Sequence, residues 1–352
     1  MQHEKVTQVV ILMNLGSPDS TAVKDVRRYL MEFLMDGRVI DKPFVFRSVL
    51  VGGIIVPFRA KRSAKAYESI WTKEGSPLIV ITKQLQEALA NEITYPVFIS
   101  MRYGNPTMKD TYESIRKQYP NVEQVLIVPL YPHYAMSSYE TAVEHARNVH
   151  AKNNYPFQLV FIKPFYDEQQ YIHALTESIR PFVQQEYDHF LFSYHGIPER
   201  HVLKSDITGA HCLQSPDCCI TESPAHRYCY RHQCLQTSDL VAENLQIPKD
   251  KYSFSFQSRL GRSEWLKPYT VKRLEAMPAE GIKKLVMVCP AFVSDCLETL
   301  EEIAEEGKEI FIKAGGESFM LIPCLNVQPL WVKTLANWIN TTTAGSREMV
   351  FT

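Results

Sequence analysis

Three short sequence motifs, called landmarks below, occur twice in the chain and in the same order. This internal repeat limits the folds that the chain can adopt. The first landmark is an apolar run that ends in Gly-x-Pro, a turn signal. The second is a short segment that contains Ser, Arg and Gly. The third is an apolar run that ends in proline and is followed by Glu-Thr. The paired copies are residues 11–18 and 191–198, 99–104 and 256–261, and 125–129 and 285–290. One match could be chance, because strand ends of α/β proteins resemble one another. Three matches in order indicate a duplicated α/β unit.

Helical patterns separate the apolar runs, and this alternation sets the fold class. They cover residues 83–90, 111–118, 171–183 and 238–245. Strands that alternate with helices join through right-handed crossovers into parallel sheets, and 352 residues suffice for two such units. The sequence therefore predicts an α/β fold of two doubly wound, Rossmann-like lobes with parallel sheets, and a functional site in the cleft between them. The expected bounds are 1–150 and 151–330, with a terminal helix and tail over 331–352.

The overall composition is that of a globular protein and excludes several classes of function. The chain is 45% hydrophobic and 22% charged, and its net charge of −1 gives no field to attract nucleic acid. Residues 1–5 lead straight into the strand-like run 9–13, without the pattern of a leader segment. No apolar run approaches the roughly 18 residues of a membrane-spanning helix. The expected location is the cytoplasm; the sequence leaves the oligomeric state open.

A ladder of carboxylates follows the last landmark. If the helix after Pro290 is regular, Glu298, Glu302 and Glu306 line up on one face at i, i+4 and i+8. Strand ends that lead into helices are where open α/β sheets bind ligands, so this face suggests a divalent metal or a cationic group. The alternative is a solvated helix side, with acids favoured near the helix start by the helix dipole. The spacing of the glutamates alone does not decide between a ligand site and a solvated helix side.

The repeat adds a histidine to these acids. His195 occupies the place that Leu15 holds in the first half, and Glu298 corresponds to Glu140. The second half thus supplies a titratable pair from one edge of its sheet, where the first half supplies an apolar residue. A histidine in a tight turn at that edge is a candidate for proton transfer, although a structural, hydrogen-bonded histidine is the alternative.

Residues 36–71 form an unusually apolar insertion, called the lip below. Basic residues are interleaved with its apolar run or follow it: Arg47, Arg59, Lys61, Arg62 and Lys65. One interpretation is a buried helix capped by basic residues. The other is an apolar lip over a large flat ligand, with a basic rim for anionic groups or for peripheral contact with the inner face of a membrane.

A second insertion, residues 200–236, gathers five of the eight cysteines just after His195. They are Cys212, Cys218, Cys219, Cys229 and Cys234. The spacing lacks the paired Cys-x2-Cys knuckles of a zinc ribbon, but four thiolates from one loop can hold an iron–sulfur cluster or zinc. One of the five is spare, and His211, His226 and His232 are alternative ligands.

The motifs together resemble the ferrochelatase family over nearly the whole chain. Those that carry the resemblance are residues 14–18, 75–78, 193–198, 256–261, 265–268 and 289–300. The resemblance implies two Rossmann-like lobes and insertion of Fe²⁺ into a porphyrin to form haem, the last step of its biosynthesis. It assigns catalysis to His195 and Glu298, which would also contact the incoming Fe²⁺, and a metal relay to Asp295, Glu302 and Glu306. It assigns porphyrin binding to Leu15, Arg102, Tyr103, Tyr131, Ser137 and Ser138.

Departures from the family pattern refine these expectations. Leu15 stands where relatives acting on coproporphyrin have Tyr, which favours protoporphyrin IX. Cys296 stands where some members have a second His. The cysteine insertion resembles the internal loop of some bacterial members, which implies a [2Fe–2S] cluster on Cys212, Cys229, Cys234 and either Cys219 or Cys218. The alternatives are a coproporphyrin ferrochelatase, a cobalt chelatase of the same fold, and a non-catalytic metal-binding protein.

Overall fold

The computed structural model describes residues 6–261 and 263–351, which form two compact units. Unit 1 comprises the chain up to Leu130 together with Met136–Pro164 and Val332–Thr352. Unit 2 comprises Tyr131–Ala135 and Phe165–Trp331. Residues 1–5, on which the expected absence of a leader segment partly rests, lie outside the described residues.

Unit 1 is built on a parallel sheet of four strands in the order β2-β1-β3-β4. Its elements up to residue 164 are β1 (Gln8–Ser17), α1 (Val23–Leu34), α2 (Phe44–Ser48), the π-helical segment π1 (Val49–Ile55), α3 (Val56–Ile70), α4 (Pro77–Ala90), β2 (Val97–Gly104), α5 (Met108–Gln118), β3 (Gln124–Pro129), the π-helical segment π2 (Met136–Glu140), α6 (Thr141–Asn153) and β4 (Gln158–Phe161).

Unit 2 repeats this architecture, with a parallel sheet in the order β6-β5-β7-β8. Its elements are α7 (Gln169–Val183), β5 (His189–His195), α8 (Glu199–Ser205), α9 (Tyr230–Asn244), β6 (Tyr252–Gln257), α10 (Thr270–Ala276), β7 (Lys284–Val288), α11 (Leu297–Leu300), the π-helical segment π3 (Glu302–Gly307), α12 (Lys308–Lys313) and β8 (Ser318–Leu321). The terminal helix is α13 (Pro329–Thr343).

The predicted α/β fold with two parallel sheets is confirmed, and the repeated landmarks lie on equivalent strands. The central strands β1 and β5 hold the first pair, β2 and β6 the second, and β3 and β7 the third. Val9 to Met13 in β1 are fully buried, because a central parallel strand is covered on both faces and is therefore a continuous apolar run.

Unit 1 extends beyond the expected boundary at residue 150, which falls within α6. Strand β4 pairs with β3, from Gln124 opposite Gln158 to Ile127 opposite Phe161. The fourth strand of the first sheet therefore lies after residue 150, and by its contacts the unit continues to Pro164.

The lip is exposed, so its interpretation as a buried helix is wrong. Most large apolar side chains along α2, π1 and the start of α3 face away from the core, with relative exposures of 67% for Phe44, 75% for Val45, 65% for Val49 and 82% for Phe58, whereas those of Val51 and Val56 are buried. Apolar surface of this extent usually marks a binding surface.

The expected regular helix after Pro290 is also wrong in part. Helix α11 ends at Leu300 and π3 follows it, with the Glu306 N–H bonded to the Glu301 carbonyl five residues earlier at 3.0 Å. A π-turn is wider than an α-turn, so the three glutamates do not form the regular i, i+4, i+8 ladder. In the described part of the chain, no helix is long and apolar enough to cross a membrane.

Candidate active site

His195 ends β5, at the carboxyl edge of the sheet in unit 2, and is partly buried. Its Nδ1 lies 2.7 Å from the carbonyl oxygen of Gly196. A carbonyl only accepts hydrogen bonds, so Nδ1 carries a proton and, in the neutral ring, Nε2 keeps the lone pair. This arrangement prepares Nε2 to take a proton or to bind a metal ion.

Glu302 lies within electrostatic reach of this histidine. Its carboxylate accepts hydrogen bonds from the Ser258 backbone N–H, at 2.7 Å, and from the Ser258 hydroxyl. Burial raises the pKa of Glu302 and the charge of Glu298 adds to the rise, whereas the bonds from Ser258 and the charge of His195 act to lower it. An imidazole and two carboxylates are thus grouped at one sheet edge.

Two residues that sequence reasoning did not assign hold these acids in place. The Gln257 side-chain amide, at the end of β6, donates to the Glu298 backbone carbonyl at 3.0 Å. Ser258 follows with a left-handed backbone (φ 64°), unusual for a residue with a side chain, which directs both of its donors to Glu302. Their position in the repeated 256–261 landmark was the available signal.

The outer carboxylates differ in burial. Glu306 is exposed in π3, whereas Glu298 and Glu302 are both partly buried. Asp295 is buried, and its carboxylate accepts from the Asn326 amide at 2.7 Å and from the Thr299 hydroxyl at 3.0 Å. Asp295 is therefore engaged in holding the start of α11, which differs from the relay role that the resemblance assigns to it.

Arg102 and Tyr103, assigned to porphyrin binding by resemblance, lie in a buried network of unit 1. Asp36, the first residue of the lip, accepts from the Arg102 guanidinium, from the Tyr103 hydroxyl at 2.9 Å and from the Thr141 hydroxyl. Tyr103 has no exposed surface. In this conformation the pair anchors the base of the lip.

The other residues assigned to the porphyrin are divided between the two units. Leu15 is partly buried in β1, and Ser137 and Ser138 are partly buried in π2, all in unit 1. Tyr131 is buried and belongs to unit 2, in the segment whose His133 ring bonds to the Thr237 hydroxyl on α9 at 2.9 Å.

All five cysteines of the insertion are buried in unit 2 and none forms a disulfide. Hydrogen bonding with Cys212 raises the pKa of Cys229 to about 12, and hydrogen bonding with Cys229 raises the pKa of Cys219. Burial raises the pKa of Cys234, and the charges of Cys229 and Cys219 add to that rise. These interactions connect Cys229 with Cys212 and with Cys219, and connect Cys234 with both Cys219 and Cys229.

Cys218 is placed differently. Its sulfur lies 4.0 Å from that of Cys219 and accepts a hydrogen bond from the Leu213 N–H at 3.4 Å. The Arg231 guanidinium donates to Cys219 Sγ at 3.0 Å but is 3.9 Å from Cys218 Sγ.

Within residues 6–261 and 263–351, no three His, Cys, Asp or Glu side chains converge as ligands of one metal ion. A [2Fe–2S] cluster is held by four cysteine thiolates, two on each iron, so the chemistry of these free, buried cysteines suits it. The three histidines lie outside this group of sulfurs: His211 and His226 bond the Cys218 carbonyl at 2.6 and 2.9 Å, and His232 bonds that of Cys219 at 2.6 Å.

The architecture is that of the chelatases. The chain is similar to "SirB from Bacillus subtilis with Fe3+", with a TM-score of 0.54, 15% identity and coverage of 99% of this chain and 100% of that chain. It is also similar to a sirohydrochlorin chelatase SirB from Bacillus subtilis subspecies spizizenii in complex with cobalt, with a TM-score of 0.53 and 13% identity over 99% of this chain. At these identities the likeness establishes the fold alone.

Sequence comparison gives the family. The ferrochelatase family model matches residues 7–343. The ferrochelatase of Pseudomonas entomophila is 50% identical over 329 residues, covering 93% of this chain and 97% of the relative. That of Opitutus terrae is 50% identical over 337 residues, covering 95% and 97%. The chain belongs to the ferrochelatase family, lyases that insert a metal into a porphyrin in the terminal step of haem biosynthesis. Membership implies Fe²⁺ and protoporphyrin IX as substrates.

Proposed function

We propose that iron insertion takes place at the carboxyl edge of the unit 2 sheet, with His195 as the group that takes protons from the porphyrin nitrogens. A free-base porphyrin must lose two pyrrole protons as it gains the metal. The observation that carries this proposal is the bond from His195 Nδ1 to the Gly196 carbonyl, which leaves Nε2 as the acceptor. An imidazole has an ordinary pKa near 6.5, suited to proton transfer near neutral pH.

Glu298 and Glu302 accompany His195 in this proposal. Their negative charges stabilise a protonated imidazole and attract Fe²⁺, and His195 and Glu298 are the groups that contact the metal. Glu306 extends this acidic path toward solvent. Asp295 acts by fixing the start of α11, because both of its carboxylate oxygens have partners within the fold.

We propose protoporphyrin IX rather than coproporphyrin as the porphyrin. The apolar Leu15 suits a substrate with vinyl groups, whereas a hydroxyl at this position would suit additional propionates. Arg102, Tyr103, Tyr131, Ser137 and Ser138 remain the proposed porphyrin contacts. The test is anaerobic haem formation from each porphyrin with Fe²⁺, followed at the Soret band. A preference for protoporphyrin that weakens in Leu15→Tyr is expected; a wild-type preference for coproporphyrin would overturn the assignment.

We propose a [2Fe–2S] cluster on Cys212, Cys219, Cys229 and Cys234. The Arg231 guanidinium supports Cys219 over Cys218, because it donates to Cys219 Sγ at 3.0 Å but lies 3.9 Å from Cys218 Sγ, and a cationic donor stabilises thiolate ligands. The cluster would supply a one-electron redox centre in the loop that follows His195.

A matched pair of variants tests the ligand choice. After anaerobic purification, Cys218→Ser should retain the iron and acid-labile sulfide of the wild type, whereas Cys219→Ser should lose most of both. Wild-type protein without iron and sulfide would contradict the cluster, and the reverse pattern in the two variants would reassign the ligand.

We propose that the lip is the apolar wall over the porphyrin and contacts anionic lipid at the inner face of the membrane, the protein otherwise residing in the cytoplasm. The exposed phenylalanines Phe44 and Phe58 support this, as do the basic residues Arg59, Lys61 and Lys65 beside them on α3. Cosedimentation with phosphatidylglycerol vesicles should fall in Phe58→Ser and in 1 M salt. Equal sedimentation with neutral and anionic vesicles would contradict the basic contribution.

A further inference from the structure

Gln257, the last residue of β6, is bonded to the turn that holds the His195 imidazole. The two residues are register partners on the parallel strands β6 and β5. The Gly196 N–H donates to the Gln257 backbone carbonyl at 2.8 Å, and a Cβ on Gly196 would lie only 2.7 Å from that oxygen. Only a glycine allows this approach. The Gly196 carbonyl accepts from His195 Nδ1, so the imidazole is fixed relative to the backbone of Gln257.

The side chain of the same residue reaches Glu298. Gln257 Nε2 donates to the Glu298 backbone carbonyl at 3.0 Å. Helix α11 ends at Leu300, and the carbonyls of the last turn of a helix have no partner within it, so the amide supplies a donor that the helix lacks. Gln257 is 2% exposed. One buried residue is therefore bonded through its backbone to the turn after His195 and through its side chain to Glu298.

Buried hydroxyls fix the orientation of this amide. Because a carbonyl only accepts, Nε2 faces Glu298, and Gln257 Oε1 accepts from the Ser193 hydroxyl at 2.8 Å. The Thr270 hydroxyl lies 3.0 Å from Ser193 Oγ and therefore donates to it. The Ser255 hydroxyl, 2.8 Å from Thr270 Oγ1, donates in turn to Thr270. Each hydroxyl has one proton, so these bonds form a directed chain that ends at Glu298.

The burial of this chain makes the opposite orientation costly. Ser193, Ser255 and Thr270 are all buried. A flipped amide would place Gln257 Oε1 against the Glu298 carbonyl, where two acceptors meet and neither has a donor. A buried polar group left without a partner loses its hydration uncompensated. The hydroxyl chain thus selects the amide orientation that holds Glu298.

We infer that Gln257 is a positioning residue that sets the placement of the Glu298 carboxylate relative to the His195 imidazole, and that Ser193 fixes the amide orientation on which this placement depends. The inference rests on the proposed catalytic roles of His195 and Glu298. Gln257 acts through these two residues, and the groups that it bonds are not among the proposed porphyrin contacts. Its loss therefore lowers kcat and leaves the KM for porphyrin nearly unchanged.

A double-variant cycle separates this role from general support of the fold. Gln257→Met, which keeps the length of the side chain and removes the amide, is made in the wild type and in Glu298→Gln. In the wild-type background, kcat for haem formation should fall about ten-fold, with the KM for porphyrin within about two-fold. In Glu298→Gln the further loss should be below about two-fold, because a group that places a carboxylate has little effect once that carboxylate is absent.

Gln233→Met is the matched control. Gln233 is also a buried glutamine of unit 2, but it bonds the Tyr134 N–H at 2.6 Å and the Arg227 carbonyl at 2.8 Å. Any loss that it causes should be the same in both backgrounds. Equal fold losses for Gln257→Met in the two backgrounds would overturn this inference alone. Wild-type kcat in Glu298→Gln would overturn the role of Glu298 and this inference with it.

Two serines test the amide orientation without changing Gln257. Ser193 and Ser255 are buried register partners on β5 and β6, but Ser193 bonds the amide directly, whereas Ser255 acts through Thr270. Ser193→Ala should lower kcat about five-fold, with the Cys289 thiol, 3.6 Å from Gln257 Oε1, remaining as a weak donor. Ser255→Ala should lower it less than about two-fold. Equal kcat values in the two variants would overturn the orienting role of Ser193.

Discussion

The two units share one topology but use the same positions differently. Each has a parallel sheet whose third strand leads into a π-helical segment with acidic residues near it. In unit 1, Glu140 and Glu144 pair with Arg38 at 2.9 and 3.7 Å. In unit 2, Glu302 is bonded to the neutral Ser258, and in the described chain neither Glu298 nor Glu302 has an ion pair with Lys or Arg.

The difference indicates how one fold can serve both structure and chemistry. In unit 1 these carboxylates have a cationic partner within the fold. In unit 2 the Glu302 carboxylate is held by a neutral donor near an imidazole, an arrangement in which a cationic substrate can supply the positive charge. The predictions below test this division of roles, in order of decreasing expected effect.

The largest effect is expected for His195→Ala. Removing the proposed acceptor of the porphyrin protons should lower kcat for haem formation by about 10³-fold or more, while porphyrin binding, measured by fluorescence quenching, persists. His189→Asn is the control, because His189 lies at the opposite end of β5 and bonds Ser253 at 2.8 Å. Near wild-type turnover in His195→Ala would contradict the assigned role.

In unit 1, Asp36→Asn should affect stability most. Asp36 and Arg102 form an ion pair whose side chains are only 8% and 12% exposed, and removing one partner leaves a buried charge. We expect the free energy of unfolding to fall by about 3 kcal/mol in chemical denaturation. Glu309→Gln, which breaks an exposed pair with Lys313, should cost less than about 1 kcal/mol. Equal losses would refute the structural role of the Asp36 network.

The same network predicts a pH dependence. Burial acts to raise the pKa of Asp36, but bonds from Thr141 and the Arg38 N–H, with the charge of Arg102, hold it below its ordinary 3.8. A carboxyl with a lowered pKa stabilises the fold above its ordinary pKa and loses that contribution as pH falls through the lowered value. The stability difference between wild type and Asp36→Asn should thus be constant above about pH 5 and shrink below about pH 4. A difference independent of pH down to 2 would contradict this.

Much of the architecture could be predicted from the sequence, because the repeat places strands, helices and crossovers in order. The π-turn at Glu302 could not, since glutamates four residues apart look the same in an α-helix and a π-helix. The exposure of Phe58 was equally hidden, because a buried and an exposed apolar run have the same composition. The Asp36–Arg102 and Tyr230–His195 contacts join residues 66 and 35 positions apart, and neither pair leaves a local pattern.

Equivalent glutamates of the two units offer a direct contrast. Glu298→Gln should reduce kcat by about 10²-fold, the lower range for loss of an acid–base group. Glu140→Gln removes a partly exposed ion pair with Arg38 and should leave kcat within about two-fold, with a stability loss under about 1 kcal/mol. Similar kcat losses in both variants would mean that the two positions are not functionally distinct.

The smallest effect concerns the proposed [2Fe–2S] cluster. Arg231→Gln removes a cationic hydrogen-bond donor that lies 3.0 Å from Cys219 Sγ. In the wild type this donor favours the reduced state, which is the more negative one. If the reduced state loses roughly 1.5 kcal/mol of hydrogen-bond stabilisation, the midpoint potential falls by about 60 mV for one electron. Arg227→Gln is the control, since the Arg227 guanidinium lies over the Tyr228 ring. An unchanged or higher potential in Arg231→Gln would contradict the assigned contact.

The division of roles is tested most directly by single-turnover haem formation. Anaerobic Fe²⁺ is mixed with enzyme that already holds protoporphyrin IX, and the Soret band is followed in wild type, His195→Ala, Glu298→Gln and Glu140→Gln. Prior binding of the porphyrin removes differences in affinity from the comparison. We predict that the rate constant falls in the two unit 2 variants and is preserved in Glu140→Gln. Preserved rates in His195→Ala and Glu298→Gln, with a loss in Glu140→Gln, would contradict the account.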